Sequence, residues 1–412
     1  MTRQEIDTRL DKIYDGGDNA LLTWATGCGK SRAAIRYINR FDNPERHYDV
    51  LVCVAEIAHI NNWHKEFTSW GTFGLNVRVD VVCYASLKSM SMSRYDLVVL
   101  DECHHIATDI REDALSKIET DRVIALSATV DKDTKDCLNR LYGHFVEFHI
   151  ALQDAIDWDI LPTPRIYTIP LSLRMNGSDE RYMFTRGNSK KRKKIVCDAK
   201  DRWVYLRDKK GLPDLELHVR CSQFEKYCYI TEAFEYARKR YFALRNDALK
   251  NRWLQQGGER KRFLSSIKTA KARVIINSLL DDSRYIVFCG DIEQADKLGC
   301  DNAVHSKRDN PKDIIDRFNQ KKTNSLYCVG MLQEGQNLTD IEKALIIQLD
   351  GNERSFIQRL GRVLRAEHPV IYIMYVEGTR DEEFLKDALE GINPEYVKTL
   401  RYDEIFNRHR RD

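Results

Sequence analysis

The sequence predicts an α/β protein with two parallel-sheet domains in tandem and a basic, mainly helical insert between them. Three observations carry that expectation. Short apolar runs alternate with helix-length segments over residues 1–165 and again over 266–390. Most of these runs are apolar almost throughout, as parallel strands covered on both faces must be. Between the two regions, residues 166–265 replace the alternation with charged stretches and long helical patterns.

In the first region the strand candidates are 20–25 (ALLTWA), 48–55 (YDVLVCVA), 79–85 (VDVVCYA), 95–102 (YDLVVLDE) and 122–129 (RVIALSAT). Helical segments such as SRAAIRYINRF lie between them, which argues for βαβ units. The second region repeats the pattern at 285–290 (YIVFCG), 303–306 (AVHS), 325–331 (SLYCVGM), 343–349 (KALIIQL) and 370–376 (VIYIMYV). In the insert, 186–213 is charge-rich and 221–262 reads as helix, with Gly257 and Gly258 as the expected break. Residues 391–412 read as a short tail, a small helical cap on the second domain.

With 412 residues, 42% of them apolar and 31% charged, the chain can build real cores, and collagen, low-complexity and miniprotein classes are excluded. No run of about 18 apolar residues exists, so no membrane span is expected. The charged start, MTRQEIDTRLDKIYDGG, has no apolar segment of signal-peptide type. Eleven cysteines occur without a CxxC pair, and several sit in apolar runs, such as Cys53 and Cys289. Free thiols in a reducing compartment are expected, rather than disulfides or a zinc site. The net charge of +3 is uneven: residues 173–265 carry 24 Lys and Arg against 12 Asp and Glu, so the rest of the chain is acidic by nine charges. A basic middle segment points to a polyanion held locally, with a solvated helical face as the alternative.

Five motifs carry chemistry. WATGCGKS, 24–31, follows a strand and precedes a helix. In such a loop Thr26, Gly27, Cys28 and Gly29 turn backbone N–H groups toward phosphates, Lys30 reaches the β and γ phosphates, and the Ser31 hydroxyl ligates Mg²⁺. Trp24 stands where the strict phosphate-loop pattern has glycine. DECHH, 101–105, closes the strand YDLVVL: Asp101 would hold Mg²⁺ and Glu102 would orient and polarise the attacking water. Ser127, Ala128 and Thr129 close the next strand. The loop GMLQEGQNL (330–338) contains Gly335, and QRLGRVLR (358–365) places Arg362 and Arg365 on one helical face.

In this order the motifs resemble motifs I, II, III, V and VI of superfamily 2 helicases, and the chain is similar to the DExH-type duplex translocases. These include the motors of type I and type III restriction enzymes, XPB-like helicases and phage UvsW-like helicases. The resemblance implies two RecA-like domains, ATP and Mg²⁺ between them, and nucleic acid across both. It implies catalytic roles for Lys30, Asp101, Glu102, Arg362 and Arg365, the two arginines acting from the second domain. It further implies adenine reading by Gln4, and coupling through His104, Ser127, Thr129 and Gln358. Tyr84 and Ser86 would contact strand phosphates. Asn337 replaces the usual acidic residue of motif V. The basic run Lys190, Lys191, Arg192, Lys193 and Lys194, with Trp203 and Tyr205 after it, is the candidate for a further nucleic-acid contact.

The implied activity is an ATP-dependent DNA helicase or translocase of recombination, replication or repair, working on single-stranded, forked or branched DNA. RNA as substrate, a non-hydrolysing clamp, and a motor subunit of a nuclease complex are the alternatives. A cytoplasmic setting is expected, or a nuclear one in a eukaryote.

Overall fold

The computed structural model describes residues 1–41, 43–90, 94–187, 192–207, 214–280, 283–329, 338, 340–349, 361 and 366–409. In the first domain, helix α1 (Arg3–Asp15) leads into strand β1 (Asn19–Trp24) and helix α2 (Lys30–Ile38). Next come β2 (Tyr48–Val54), α3 (Ile57–Trp70), β3 (Val77–Cys83), β4 (Arg94–Tyr95), β5 (Leu97–Asp101) and α4 (Asp109–Leu115). Then follow β6 (Glu119–Thr120), β7 (Val123–Ser127), α5 (Lys132–Tyr142), β8 (Phe145–Ile150) and α6 (Leu152–Asp157). Six strands form a parallel sheet in the order β3-β2-β5-β7-β1-β8, while β4 pairs with β6 apart from it. The apolar runs find their reason in burial: every residue of β7 and the first four of β5 are buried. α1 is set by a capping box of Thr2 and Glu5 and buries Ile6, Leu10 and Tyr14 along one stripe.

Beyond residue 164 the architecture departs from the expected boundaries. β9 (Arg165–Leu171) belongs to the second sheet, not to an insert. The insert proper then forms β10 (Glu180–Arg186), β11 (Lys193–Asp198), α7 (Arg202–Arg207), β12 (Leu215–Cys221), α8 (Gln223–Leu244) and α9 (Asp247–Ile275). It is therefore not simply helical: β10, β12 and β11 make a three-stranded sheet that packs on a long helical hairpin. The hairpin turns at Arg245, which has φ +46, and at Asn246, whose side chain accepts from the N–H groups of Ala248 and Leu249. Gly257 and Gly258 do not break the helix. A Cβ at Gly257 would lie 3.4 Å from the Phe234 ring, an ordinary contact between the two helices.

The second domain adds β13 (Tyr285–Phe288), α10 (Ile292–Gly299), β14 (Ala303–Val304), α11 (Pro311–Asn319), β15 (Ser325–Cys328), β16 (Lys343–Ile346), β17 (Val370–Val376) and β18 (Val397–Thr399). Its sheet order is β14-β15-β13-β16-β17-β9-β18, with parallel pairing throughout. The expected tail is thus part of the domain: it supplies the edge strand β18 and the helix Tyr402–His409, in which Ile405 is buried against the same core. The C-terminal half of α9 also enters this core through Phe263, Leu264, Ala272 and Ile275. All eleven cysteines are free thiols, nine of them buried.

Candidate active site

Strands β5, β7 and β1 are neighbours in the first sheet, so their carboxyl ends bring three separate motifs together. In open parallel sheets that edge is where ligands bind. The loop after β1 turns through Gly27 (φ +93) and Gly29 (φ +87), conformations that favour glycine, and α2 begins at Lys30. The Lys30 ammonium donates to the Trp24 carbonyl at 3.0 Å. Arg3 Nη1 donates to the Cys28 carbonyl at 2.7 Å, and a Cβ at Gly29 would lie 2.6 Å from Arg3 Nη2. Burial pushes the Cys28 thiol up to about 11, so it is a neutral packing group. Gln4 is exposed. A cleft of about 430 Å³ beside the loop is lined by Arg3, Gly27, Gly29, Arg32, Trp70 and Trp158. Sequence reasoning missed the two tryptophans, since nothing local distinguishes them from core aromatics.

Asp101 ends β5. Its Oδ2 accepts from Trp63 Nε1 at 2.8 Å, its Oδ1 from the Glu102 N–H at 3.1 Å, and its carbonyl from the Tyr84 hydroxyl at 2.9 Å. Burial, and then the Glu102 charge, push the Asp101 carboxyl above its usual range, opposed by the Trp63 hydrogen bond. Glu102 takes φ +47, a left-handed conformation uncommon outside glycine, and this turns the chain sharply at the strand end. His104 Nδ1 lies 3.0 Å from Ser127 Oγ and 3.4 Å from Glu102 Oε2. Ser127 gives its hydroxyl proton to the Thr129 carbonyl at 2.8 Å, so its oxygen accepts from His104 Nδ1–H. His104, Ser127 and Thr129 are therefore joined by hydrogen bonds, with Glu102 Oε2 lying beside them. Two sequence motifs are thereby joined across adjacent strands.

Tyr84 is placed differently from its expectation as a strand contact. It is 2% exposed, with its hydroxyl spent on the Asp101 main-chain carbonyl, so it braces the backbone at the strand end from within. Ser86 is exposed. In the basic run, Arg192 Nη2 donates to the Gly187 carbonyl at 2.9 Å, and Lys193 and Lys194 are exposed at the start of β11. Lys194 sits 3.7 Å from Glu216. Trp203 is half exposed, and Tyr205 packs against the small sheet. Lys190, Lys191, Gly335, Asn337, Gln358, Arg362 and Arg365 lie outside the described residues. Gly361, between the last three, is described: a Cβ there would lie 2.5 Å from Thr26 Cβ and 3.0 Å from the Thr26 carbonyl oxygen. The second domain thus touches the phosphate-type loop of the first at a glycine.

Among the described residues, no group of three or more His, Cys, Asp or Glu could hold a metal ion by itself. The hydroxyl of Ser31 and the carboxylate of Asp101 suit Mg²⁺, which keeps several waters and takes one or two carboxylates together with substrate phosphates.

Comparison with known proteins places the chain among helicases. A family described as "Type III restriction enzyme, res subunit" matches residues 2–132, and one described as "Helicase conserved C-terminal domain" matches 268–367. A protein of Methanocaldococcus jannaschii, provisionally named ATP-dependent RNA helicase MJ1505, is 21% identical over 355 residues. That alignment takes in 73% of this chain, but the chain spans only 45% of that relative. A variant of Saccharomyces cerevisiae Dbp5 bound to Gle1 and IP6 superposes with TM-score 0.56 at 11% identity, covering 96% of this chain and 89% of that one. A Dbp5 variant bound to RNA and ADP BeF3 gives TM-score 0.55 at 12% identity, covering 97% and 93%. At these identities the superpositions speak for the fold, two RecA-like domains.

Proposed function

The chain belongs to the superfamily 2 helicases, and from that premise we propose that it is a nucleic-acid-stimulated ATPase that moves along or remodels DNA. The observation that carries this reading is the meeting of Lys30, the Asp101–Glu102 pair and the His104–Ser127 contact at three adjacent strand ends. No single motif requires such a meeting, whereas ATP hydrolysis uses all of it.

Lys30 leaves the Trp24 carbonyl to meet the β and γ phosphates, and the N–H groups of the glycine loop cradle them. Ser31 and Asp101 would hold Mg²⁺, which would supply charge neutralisation at the phosphates. Trp63 holds the Asp101 carboxylate and Tyr84 holds its main-chain carbonyl. Glu102 aligns the attacking water. His104, bonded to Ser127 of the Ser127–Thr129 turn, lies 3.4 Å from that carboxylate and relays its position toward the turn. Arg362 and Arg365 follow Gly361, which already rests on Thr26, and they neutralise transition-state charge from the second domain. Cycles of closure and opening then move the two domains against each other along a strand, with Ser86 and the lysines of β11 among the contacts.

DNA is favoured by the match of residues 2–132 to a restriction-enzyme subunit. A second reading, RNA, is favoured by the name of the archaeal relative. The test is ATP turnover with single-stranded, duplex, forked and four-way DNA and the matching RNAs. Stimulation by DNA forms above RNA forms is expected. Stimulation by RNA alone replaces DNA with RNA in this reading, and no stimulation by either overturns it.

A further inference from the structure

The α8–α9 hairpin reaches away from the core that holds its base. α8 has 22 residues and α9 has 29, which at 1.5 Å per residue makes them roughly 33 and 43 Å long. Near the base, Ile230 of α8 and Phe263 onward in α9 are buried. Near the turn, almost nothing is. Arg238, Lys239, Arg240, Arg245, Lys250 and Arg252 are all exposed within fifteen residues that contain one carboxylate, Asp247. Arg238 lies 3.5 Å from Glu235. Among the described residues no carboxylate comes within salt-bridge distance of the other five.

The same tip exposes rings beside these cations. Phe242 is 46% exposed, with the guanidinium carbons of Arg245 and Arg238 4.7 and 5.9 Å from its centroid. Tyr236 is 58% exposed, with Arg240 at 5.9 Å. Behind them Trp253 stacks on Tyr241, centroids 5.4 Å apart, which fixes the two helices to each other at the turn. Tyr236 and Arg252 also line a cleft of about 820 Å³ between the hairpin and β10, with the amides of Asn251, Gln255 and Gln256. The carboxylates of Glu232 and Glu259 line it too.

We propose that this tip is a second nucleic-acid contact, one that holds unpaired single strand; the proposal rests on the reading that the protein works on nucleic acid. Five cations without acidic partners match a phosphate backbone, and flat rings beside guanidinium groups stack on bases. A duplex hides its base faces, so exposed Phe242 and Tyr236 are useful only to an unpaired strand. In the cleft, Glu232 and Glu259 repel phosphate while the amides offer hydrogen bonds to base edges. Bases therefore enter it and the backbone runs outside, along Arg240 and Lys250, with Arg252 at the cleft wall.

The test is fluorescence anisotropy on the full chain, titrated against a labelled 20-nucleotide DNA, the same RNA and a blunt duplex at several salt concentrations. A variant carrying Lys239→Ser, Arg240→Ser, Lys250→Ser and Arg252→Ser should bind both single strands more weakly. Its log-affinity against log-salt slope should flatten by roughly 0.7 for each phosphate that is no longer neutralised. Phe242→Ala should weaken single-strand binding about 5- to 150-fold and leave the slope unchanged, since it removes stacking and no charge. All five sites are surface positions, and unchanged thermal melting of the variants verifies folding. Wild-type affinity and slope in both variants overturn the proposal. So does an equal loss toward the blunt duplex, or charge-dependent binding of the tip to anionic phospholipid vesicles in place of nucleic acid. ATP turnover is measured separately: a wild-type protein that binds strands through the tip but is never stimulated by them refutes the proposed function and leaves the tip standing.

Discussion

Trp63 does its work through one hydrogen bond. Its indole N–H meets Asp101 Oδ2 at 2.8 Å, and burial of the ring leaves the carboxylate one orientation. Trp63→Phe keeps the bulk and removes the donor. A hydrogen bond to a charged group contributes about 1.5–3 kcal/mol, so turnover should fall about 10- to 150-fold, with a raised Mg²⁺ requirement, while ATP binding changes little. Metal-titrated ATPase rates check this, and an unchanged Mg²⁺ dependence removes the positioning role. That Lys30, Asp101 and Glu102 sit at the ends of strands in one sheet was legible in the sequence, because each follows a short apolar run. Trp63 and Tyr84 were not legible as supports: they reach Asp101 from 38 and 17 residues away. Only the folded sheet creates that proximity.

At the scale of elements, α9 is anchored by a charge. Lys268 is fully buried, and its ammonium donates to the Ile347 carbonyl at 2.8 Å and to Gln348 Oε1 at 3.0 Å. It also pairs with buried Asp381, which accepts from Gln348 Nε2 at 2.7 Å. Burial lowers the Lys268 pKa and Asp381 raises it. Lys268→Ala leaves Asp381 buried without its cation and should cost about 3–5 kcal/mol. Lys268→Met combined with Asp381→Leu removes both charges and should recover much of that loss in denaturant melts; no recovery would show that the ion pair is not the cause.

A second element contact joins α1 to α2. Hydrogen bonding from Arg36, then the charges of Arg36 and Arg40, hold the Asp11 carboxyl below its usual range. Its stabilising contribution is full above the unfolded-state pKa and is lost as pH falls through the lower folded-state value. Asp11→Asn should therefore flatten the acid limb of the stability–pH curve, and an unchanged limb would contradict the assignment.

The helical character of 221–262 was legible, but the turn at Arg245 and Asn246 was not, nor was the three-stranded sheet beside the hairpin. β10 alternates half-buried and exposed residues, as half-solvated antiparallel strands do. A continuous apolar run marks only strands covered on both faces. β18, with three residues, carries too little pattern of its own.

Across the whole molecule, the two domains meet at the phosphate-type loop. A Cβ at Gly361 would overlap Thr26, and the Asn393 N–H donates to Gln153 Oε1 at 2.7 Å. Gly361→Ala should force the second domain off the loop and lower stimulated turnover without unfolding either domain. Removing Arg362 or Arg365 should cost about 10³-fold in turnover, with a much smaller loss of ATP affinity. The order of motifs made two domains around one site legible. The contact at Gly361 was not, because small residues on a helix have many uses and only the partner surface selects among them.

The central claim is that this site hydrolyses ATP in response to nucleic acid, with Glu102 aligning the water. The most direct measurement is steady-state ATP turnover of wild type and Glu102→Gln, with and without saturating nucleic acid, alongside ATP binding. The expected result is a wild-type rate that rises with nucleic acid, and a Glu102→Gln protein that binds ATP and nucleic acid but turns over at least about 100-fold more slowly. A Glu102→Gln protein with near wild-type stimulated turnover would contradict it.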